Sequence, residues 1–401
     1  MDQDRKKKLI DSFLTRGVEN IIPNGEALEK ALYSGKVLNV YLGIDPTATK
    51  IHLGHAFPLR KLQILSELGH HVTFLIGDFT ALVGDTSDKD TERPVLTKEQ
   101  IEENFKDYKR QAEKLLDFSK VELHYNSEWL SKLTFFDVIK LCGHFSLNDF
   151  ISRELIKKRL SEGKRVSLPE TLYPIMQGYD SYNMDTDIQL GGTDQTFNMQ
   201  AGRTLLKDLK NKDSFIVANG FLSGTDGRKM SKTWGNAIWL EDSPEEIFGK
   251  VMSISDDVII SYYTMGTNAD VDVIEDAKKR LASGENPMNI KRELARRIVS
   301  ELSGEDKVAN AEDYFQKTVV EKSVTEEAVE VKWKEENIEV EELIKILIDK
   351  GFAASNGEVK RLIEQGGLYI NGERVSKDKH LYAVGEGVVR FGKRKYLRLI
   401  G

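Results

Sequence analysis

Short strand-like runs, Val37–Ile44, His71–Gly77, Phe215–Asn219 and the further strand candidate Val121–Tyr125, are separated by longer stretches of helical period. Strands that alternate with helices cannot pair through tight hairpins. They need crossover connections, so a parallel α/β sheet is the expected architecture of the first half. The first run leads through a loop into a helical stretch from His55 to about Leu68. Thr97 opens another helix with a capping box, because Gln100 stands at its third position. Ile101, Phe105, Tyr108, Ala112 and Leu115 then recur at 4,3,4,3 spacing, one face of a helix. Met1–Gly17 reads as a short amphipathic helix. Asp11 and Arg16 interrupt anything like the apolar centre of a signal sequence.

From Ser243 the pattern turns mainly helical. Ser243-Pro244-Glu245-Glu246 supplies a cap, a proline at the first position and a glutamate at the third. Ala277–Ala282 and Ile290–Leu302 continue it, so a small helical domain is expected to about Val320. Residues 321–337 are polar and read as a linker. Beyond them Val340–Ile348 reads as a helix, and Ser355 caps a second, Asn356–Glu364, which Gly366-Gly367 ends. Leu368–Ile370 is a short strand, and Asn371-Gly372 is a hairpin signal. The expected division is 1–225, 226–320, a linker at 321–337, and 338–401. No repeat of 20–50 residues is visible.

Length and charge narrow the function. A chain of 401 residues is too long for one ordinary core and suits two or three domains. Apolar residues at 40% exclude a disordered chain. The net charge of −7 argues against a general nucleic-acid binder. It is unevenly spread: residues 338–401 hold 12 Lys or Arg against 9 Asp or Glu, a net +3, which leaves −10 on the rest. The single cysteine, Cys142, excludes an internal disulfide framework and a cysteine-based zinc site, and reads as a small buried apolar residue. The seven histidines are scattered, so no metal cage is expected. No apolar run approaches the ~18–20 residues of a membrane helix, and a cytoplasmic protein is expected.

Three groups of residues carry chemistry. His52-Leu53-Gly54-His55 lies between the first strand and a helix. An α/β fold places its ligand there, at a strand's carboxyl end against a helix N-terminus. Gly54 lets the backbone come close to a nucleotide, and the two imidazoles can stabilise charge developing on phosphate. Two histidines in an ordinary strand-to-helix loop would look the same. Lys229-Met230-Ser231-Lys232, followed by Thr233, comes after Thr225-Asp226-Gly227-Arg228. The Asp-Gly turn signal marks a mobile loop, and two lysines three apart suit a pyrophosphate clamp; a solvated basic loop is the other reading. Tyr173, Gln177 and Asp180 share a helix face and can line a small-molecule pocket. Tyr41, Asp85, Asp194 and Gln195 are further polar candidates. Each could equally be a surface or capping residue.

With both short motifs present, in this order, the chain resembles the class I aminoacyl-tRNA synthetases, whose two signatures these are. The third group resembles the tyrosine-activating branch of that family. The resemblance runs from about Tyr41 to Thr233 and again over the tail. It implies a Rossmann-like catalytic domain, a small helical domain that meets the anticodon stem, and a C-terminal α+β RNA-binding module. It implies ATP as substrate with Mg²⁺, no protein-bound metal or organic cofactor, tyrosine and its tRNA as the other substrates, and a homodimer.

By the same resemblance, Tyr41 and Asp180 meet the substrate phenol, and Asp85, Tyr173 and Gln177 hold its ammonium. Gln195 orients the substrate near its carboxylate, and Thr80 lies beside the amino-acid pocket. Gly43, Asp45 and Gly54 fall beside the nucleotide, while Gly192 and Asp194 meet its ribose. Thr47 and His52 grip the γ-phosphate, with His55 as the second signature histidine. Lys89 and Arg93 belong to a mobile loop that closes on pyrophosphate, together with Lys229 and Lys232 of the signature loop. Lys360, Arg361, Lys393, Arg394 and Lys395 contact RNA phosphates.

Some positions depart from the family pattern. Met230-Ser231 stand where some tyrosine enzymes have Phe-Gly, Thr233 replaces a commoner serine, and Thr196 stands where a tryptophan is frequent. The tryptophan-activating branch shares fold and signatures, but an indole has no acceptor and needs no Tyr41/Asp180 pair. Small nucleotidyltransferases share the histidine motif but lack such a tail. A non-catalytic RNA-binding protein with a decayed synthetase domain is the alternative from another class.

Overall fold

The computed structural model describes residues 2–46, 50–85, 97–106, 108–230, 234–321, 328–371, 373–376, 380–384, 387–392 and 395–400. They form two compact units, Met1–Val308 and Ala309–Gly401.

The first unit is built on a six-stranded sheet: β1 Val18–Ile22, β2 Asn39–Ile44, β3 His71–Ile76, β4 Val121–Tyr125, β5 Ile188–Gly192 and β6 Phe215–Asn219. Its order is β1-β6-β5-β2-β3-β4. β2 to β6 run parallel, as the apolar runs require; β1 pairs antiparallel with β6 at the edge. Chain order runs outward from β2 through β3 to β4, then restarts on the other side of β2 with β5. The crevice between β2 and β5 is therefore a topological switch point, where open α/β sheets bind ligands.

Helices cover the sheet through apolar faces. Leu53–Glu67 buries Leu53, Ala56, Phe57, Leu59, Leu62 and Leu65. Leu168–Asn183 lies against Thr196–Lys210, and a Cβ at Gly178 would come within 3.0 Å of the Ala201 carbonyl carbon. Thr97 and Gln100 make the expected reciprocal cap on Lys98–Lys106. The face expected to continue to Leu115 stops earlier. The helix Tyr108–Ala112 ends in a turn, and that change of path buries Leu116 and leaves Leu115 half-buried.

Pro244–Met252, Ile259–Gly266, Val271–Ala282 and Pro287–Ser303 make the helical region, opened by the Ser243/Glu246 capping box. The N-terminal helix Gln3–Thr15 is tied to it by Arg16, whose guanidinium donates to the carbonyls of Tyr263, Thr264, Thr267 and Ala269.

The second unit contains β7 Ala328–Lys332, β8 Asn337–Glu339, β9 Leu368–Ile370, β10 Glu373–Arg374, β11 Leu381–Ala383, β12 Gly387–Phe391 and β13 Lys395–Ile400. Five of them form a sheet in the order β10-β9-β12-β13-β7, and β8 pairs with β11. The helices Val340–Asp349 and Asn356–Glu364 pack Leu343, Leu347, Val359 and Ile363 into one core with Leu368, Ile370, Val389, Leu397 and Leu399. Asn371 holds the hairpin at φ 48°, accepting from the Val388 N–H and donating to the Val384 carbonyl.

The polar-linker expectation for 321–337 is corrected over part of its length. Ala328–Lys332 is a strand, parallel to β13. Its valines alternate with charged residues at period 2, so Val331 packs on the core while Glu330 is exposed. The mean polarity of the segment conceals that alternation.

Candidate active site

A cavity of about 320 Å³ opens at the carboxyl ends of β2 and β5. β2 contributes Tyr41 and Gly43 and runs on to Asp45. β5 delivers Gly192, then Asp194 and Gln195 in the short turn that follows. His52, Gly54 and His55 stand at the start of the helix Leu53–Glu67, and Tyr173, Gln177 and Asp180 come from one face of Leu168–Asn183. Thr80, Asp85 and Lys229 also line the cavity. Residues from across the first unit thus meet at the switch point. Thr47, Lys89, Arg93 and Lys232 lie outside the described residues.

One end of the cavity is a buried polar cluster. Asp180 Oδ1 accepts from the Trp129 indole N–H at 2.7 Å, and Oδ2 accepts from Asn126 Nδ2 at 3.2 Å. Burial pushes the Asp180 carboxyl up to about 8, against the opposing pull of those two donors. Tyr41 Oη lies 3.0 Å from Ser181 Oγ, which in turn donates to Gln189 Oε1 at 2.8 Å. Burial, with the Asp180 charge nearby, holds the Tyr41 phenol well above its ordinary range. An apolar ligand end would leave the remaining hydrogen-bonding capacity of Asp180 and Tyr41 desolvated and unused. A hydroxyl-bearing end satisfies them.

The middle of the cavity is lined by carboxylates with fixed orientation. Asp45 accepts from Thr80 Oγ1 and Tyr173 Oη, both at 2.8 Å. Gln195 Nε2 donates to Asp85 Oδ2 at 2.7 Å. Such acceptors suit a ligand ammonium group.

At the helix N-terminus the His52 and His55 rings stack, with centroids 3.8 Å apart. Burial lowers His52 to about 2, helped by His55 and Lys229; burial and Lys229 lower His55 to about 4. With these shifts both rings are held in the neutral form, able to donate one N–H each. The Nδ1 atoms of both are buried and have no hydrogen-bond partner among the described residues. At Gly54 an added Cβ would come within 3.0 Å of the His52 ring, so the missing side chain also makes room for that ring. Lys229 sits 4.5 Å over the Phe221 ring and 3.4 Å from Asp194 Oδ2. Its loop is rooted by Asn236, which donates to Asp226 Oδ1 and to the Lys229 carbonyl.

In the second unit Lys360 and Arg361 are exposed on the helix Asn356–Glu364. Lys395 begins β13, whereas Lys393 and Arg394 lie outside the described residues. No group of His, Cys, Asp and Glu among the described residues is arranged to hold a metal ion.

Sequence reasoning missed several contributors. Gln189 was legible, as the one polar residue in the apolar run Ile188–Leu190. Asn126 was legible too, directly after β4 at a strand's carboxyl end. Gly77 gave no signal of its role: a Cβ there would fall 2.0 Å from Asp45 Oδ1. Nor did Trp129.

The family model for tRNA synthetases class I (W and Y) matches residues 34–353, and that for the S4 domain matches 343–388. The chain is 40% identical over 392 residues to a tyrosine–tRNA ligase of Thermotoga maritima, covering 97% of this chain and 96% of that one. It is 40% identical over 387 residues to tyrosine–tRNA ligase 2 of Vibrio parahaemolyticus, covering 96% and 97%. Among solved structures, the tyrosyl-tRNA synthetase of Archaeoglobus fulgidus complexed with L-tyrosine superposes with a TM-score of 0.61 at 25% identity, over 77% of this chain and 99% of that one. The switch-point cavity and the family match over most of the sequence agree, and the chain belongs to the class I tRNA synthetases of the tryptophan and tyrosine group, carrying an S4 domain.

Proposed function

We propose that the chain is a tyrosine–tRNA ligase: it joins tyrosine to ATP as tyrosyl-adenylate, releasing pyrophosphate, and passes the tyrosyl group to the 3′ end of its tRNA. The observation that carries the choice of amino acid is the buried cluster in which Trp129 and Asn126 hold Asp180, which lines the cavity together with Tyr41. The curated relatives, at about 40% identity over nearly the whole chain, support the same choice.

Activation needs no protein nucleophile. The tyrosine carboxylate oxygen bonds to the α-phosphorus as the bond to the pyrophosphate oxygen breaks. The protein's work is positioning and charge stabilisation. Tyr41 and Asp180 take the phenol; Asp85, Tyr173 and Gln177 take the ammonium, with Thr80 beside them. Gln195 aligns the carboxylate. Gly43, Asp45, Gly54, Gly192 and Asp194 border the nucleotide. His52 and His55 donate N–H groups to its phosphates. Thr47 grips the γ-phosphate with His52, and Lys229, with Lys89, Arg93 and Lys232, neutralises the departing pyrophosphate. Mg²⁺ enters with ATP, held mainly by the phosphates.

The S4 domain, through Lys360 and Arg361 and the basic run Lys393–Lys395, binds tRNA, and the helical region meets the anticodon stem. The ligase is a cytoplasmic homodimer in this reading. Exposed Phe135 (81%), Phe136 (63%), Ile139 and Leu147 in the first unit support self-association. No helix among the described residues is long and apolar enough to cross a membrane. Amino-acid-dependent ATP–pyrophosphate exchange tests the proposal: exchange is expected with tyrosine, and exchange with tryptophan instead would overturn it.

A further inference from the structure

The C-terminal sheet carries an alternation that nothing above uses. Arg374 of β10 pairs with Tyr369 of β9, Tyr369 with Arg390 of β12, and Arg390 with Tyr396 of β13. Directly opposed residues project from the same face of a sheet. Their sequence neighbours Leu368, Ile370, Val389 and Leu397 fill the core on the opposite face, against the two helices. The row Arg–Tyr–Arg–Tyr therefore stands on the face turned away from the helices. Arg374 is exposed, and the other three keep part of their surface in solvent. The Arg390 guanidinium lies 4.1 Å from the Tyr369 ring centroid, which fixes that ring beside a positive charge. One row along, Arg398 is flanked by Val388 and Glu330.

Two properties identify the occupant. The face offers rings on alternate strands, about 10 Å apart, too far to stack on one another. Between and beside them stand Arg374, Arg390 and Arg398, against the single carboxylate of Glu330 in these rows. A protein partner would call for contiguous apolar surface. Separated rings with interleaved cations match a polyanion with aromatic planes, which is single-stranded nucleic acid.

We propose that this face is a second RNA contact of the C-terminal unit, on which unpaired bases of the tRNA stack on Tyr369 and Tyr396 while the arginines meet the adjoining phosphates. The proposal rests on the RNA-binding reading of the S4 domain and differs in place from its helix residues Lys360 and Arg361. Lys360 and Arg361 lie on the helix Asn356–Glu364, which packs through Val359 and Ile363 on the other side of the sheet.

The test uses the full chain and an unmodified tyrosine tRNA transcript, with dissociation constants measured from about 50 to 200 mM salt. Tyr369→Leu and Tyr396→Leu are each expected to weaken binding by about tenfold. The salt dependence should not change, because no phosphate contact is lost. Tyr369→Phe keeps the ring and should bind as the parent does. The pair Lys360→Gln and Arg361→Gln should lower both affinity and salt dependence. Leucine variants that bind normally while the Lys360/Arg361 variant is weakened overturn the platform and leave the RNA-binding reading standing. Normal binding by every variant overturns both. Leucine variants that sediment as monomers at unchanged RNA affinity place a second copy of the chain on this face and overturn the proposal. Should a leucine variant lose the parent's melting transition, the unsubstituted chain decides: crosslinks from 4-thiouridine-substituted tRNA are expected on peptides holding Tyr369 or Tyr396. Crosslinks confined to residues 356–364 reject the platform.

Discussion

The indole N–H of Trp129 donates to Asp180 Oδ1 at 2.7 Å, inside the protein. Asp180 thereby faces the cavity with Oδ1 held by Trp129 and Oδ2 by Asn126. The strength of the Trp129 hydrogen bond sets how the carboxyl presents itself to a phenol. Trp129→Phe keeps the ring and removes the donor. With the Asp180 carboxyl pushed up to about 8, it is mostly protonated near pH 7. A hydrogen bond between neutral groups contributes about 0.5–1.5 kcal/mol, so the KM for tyrosine in pyrophosphate exchange should rise by roughly two- to tenfold, with that for ATP little changed. An unchanged tyrosine KM would remove Trp129 from substrate positioning.

Asp180 also couples the site to stability. Its folded value near 8 lies far above the ordinary carboxylate range because it is buried. A raised carboxyl favours the folded state fully only below the unfolded value. That contribution is lost as pH rises from about 4 through about 8. Asp180→Asn cannot titrate. Its melting temperature should therefore gain on the parent's as pH rises across that window and level off above it. Any fixed cost from setting an amide against two donors is constant with pH, so the trend isolates the titration. The same variant should lose tyrosine activation while still binding ATP. A gap that does not move with pH would refute the burial argument.

Gly77 tests the Asp45 position by space alone. A Cβ there would fall 2.0 Å from Asp45 Oδ1 and 2.4 Å from Thr80 Oγ1. Gly77→Ala should displace both groups and lower kcat/KM for adenylate formation by about a hundredfold. Thermal melting should show a loss of about 1–3 kcal/mol. Parent-like kinetics would show that Asp45 is not held where the chemistry needs it.

The stacked imidazoles make a kinetic prediction. With His52 near 2 and His55 near 4, neither titrates between pH 6 and 8. The pH profile of pyrophosphate exchange should have no inflection near 6.5 that disappears in His52→Asn or His55→Asn, though both variants should be slower. Such an inflection would mean that the rings work as cations.

The C-terminal boundary can be tested by truncation. Ending the chain at residue 337 leaves β7 in place without β13, a strand with exposed Val329 and no partner. Ending it at Glu321 removes both. The shorter chain should keep tyrosine-dependent exchange, lose tRNA charging and remain monodisperse in light scattering. The longer one should aggregate. Equal tRNA charging by the shorter chain would refute the role given to the second unit.

Much of this was legible in the amino-acid order, for a physical reason. β2, β3 and β6 lie inside the sheet with most of their residues buried, and such strands read as nearly continuous apolar runs. The caps at Thr97, Ser243 and Ser355 are local hydrogen bonds between residues three apart, so spacing reveals them. The helix face of Tyr173, Gln177 and Asp180 follows from period alone. β1 was not legible, because it is an edge strand with weak alternation that is completed only by pairing with distant β6. β7 was concealed in the same way, by charge on its outer face. Trp129 and Asp180 meet only because the sheet brings the end of β4 beside the helix Leu168–Asn183, and no local pattern carries that contact.

The backbone contact at Gly178 bears on how such a pocket can change over generations. Tyr173, Gln177 and Asp180 ride on one helix seated flush against its neighbour, with no side chain between them at Gly178 to be trimmed or enlarged. Adding bulk at that seat would carry all three groups away from the ligand together. A substitution at any one of the three alters a single contact and leaves the others in register. New amino-acid preferences are therefore reachable by single steps along the polar face, while the seating itself is closed to gradual adjustment.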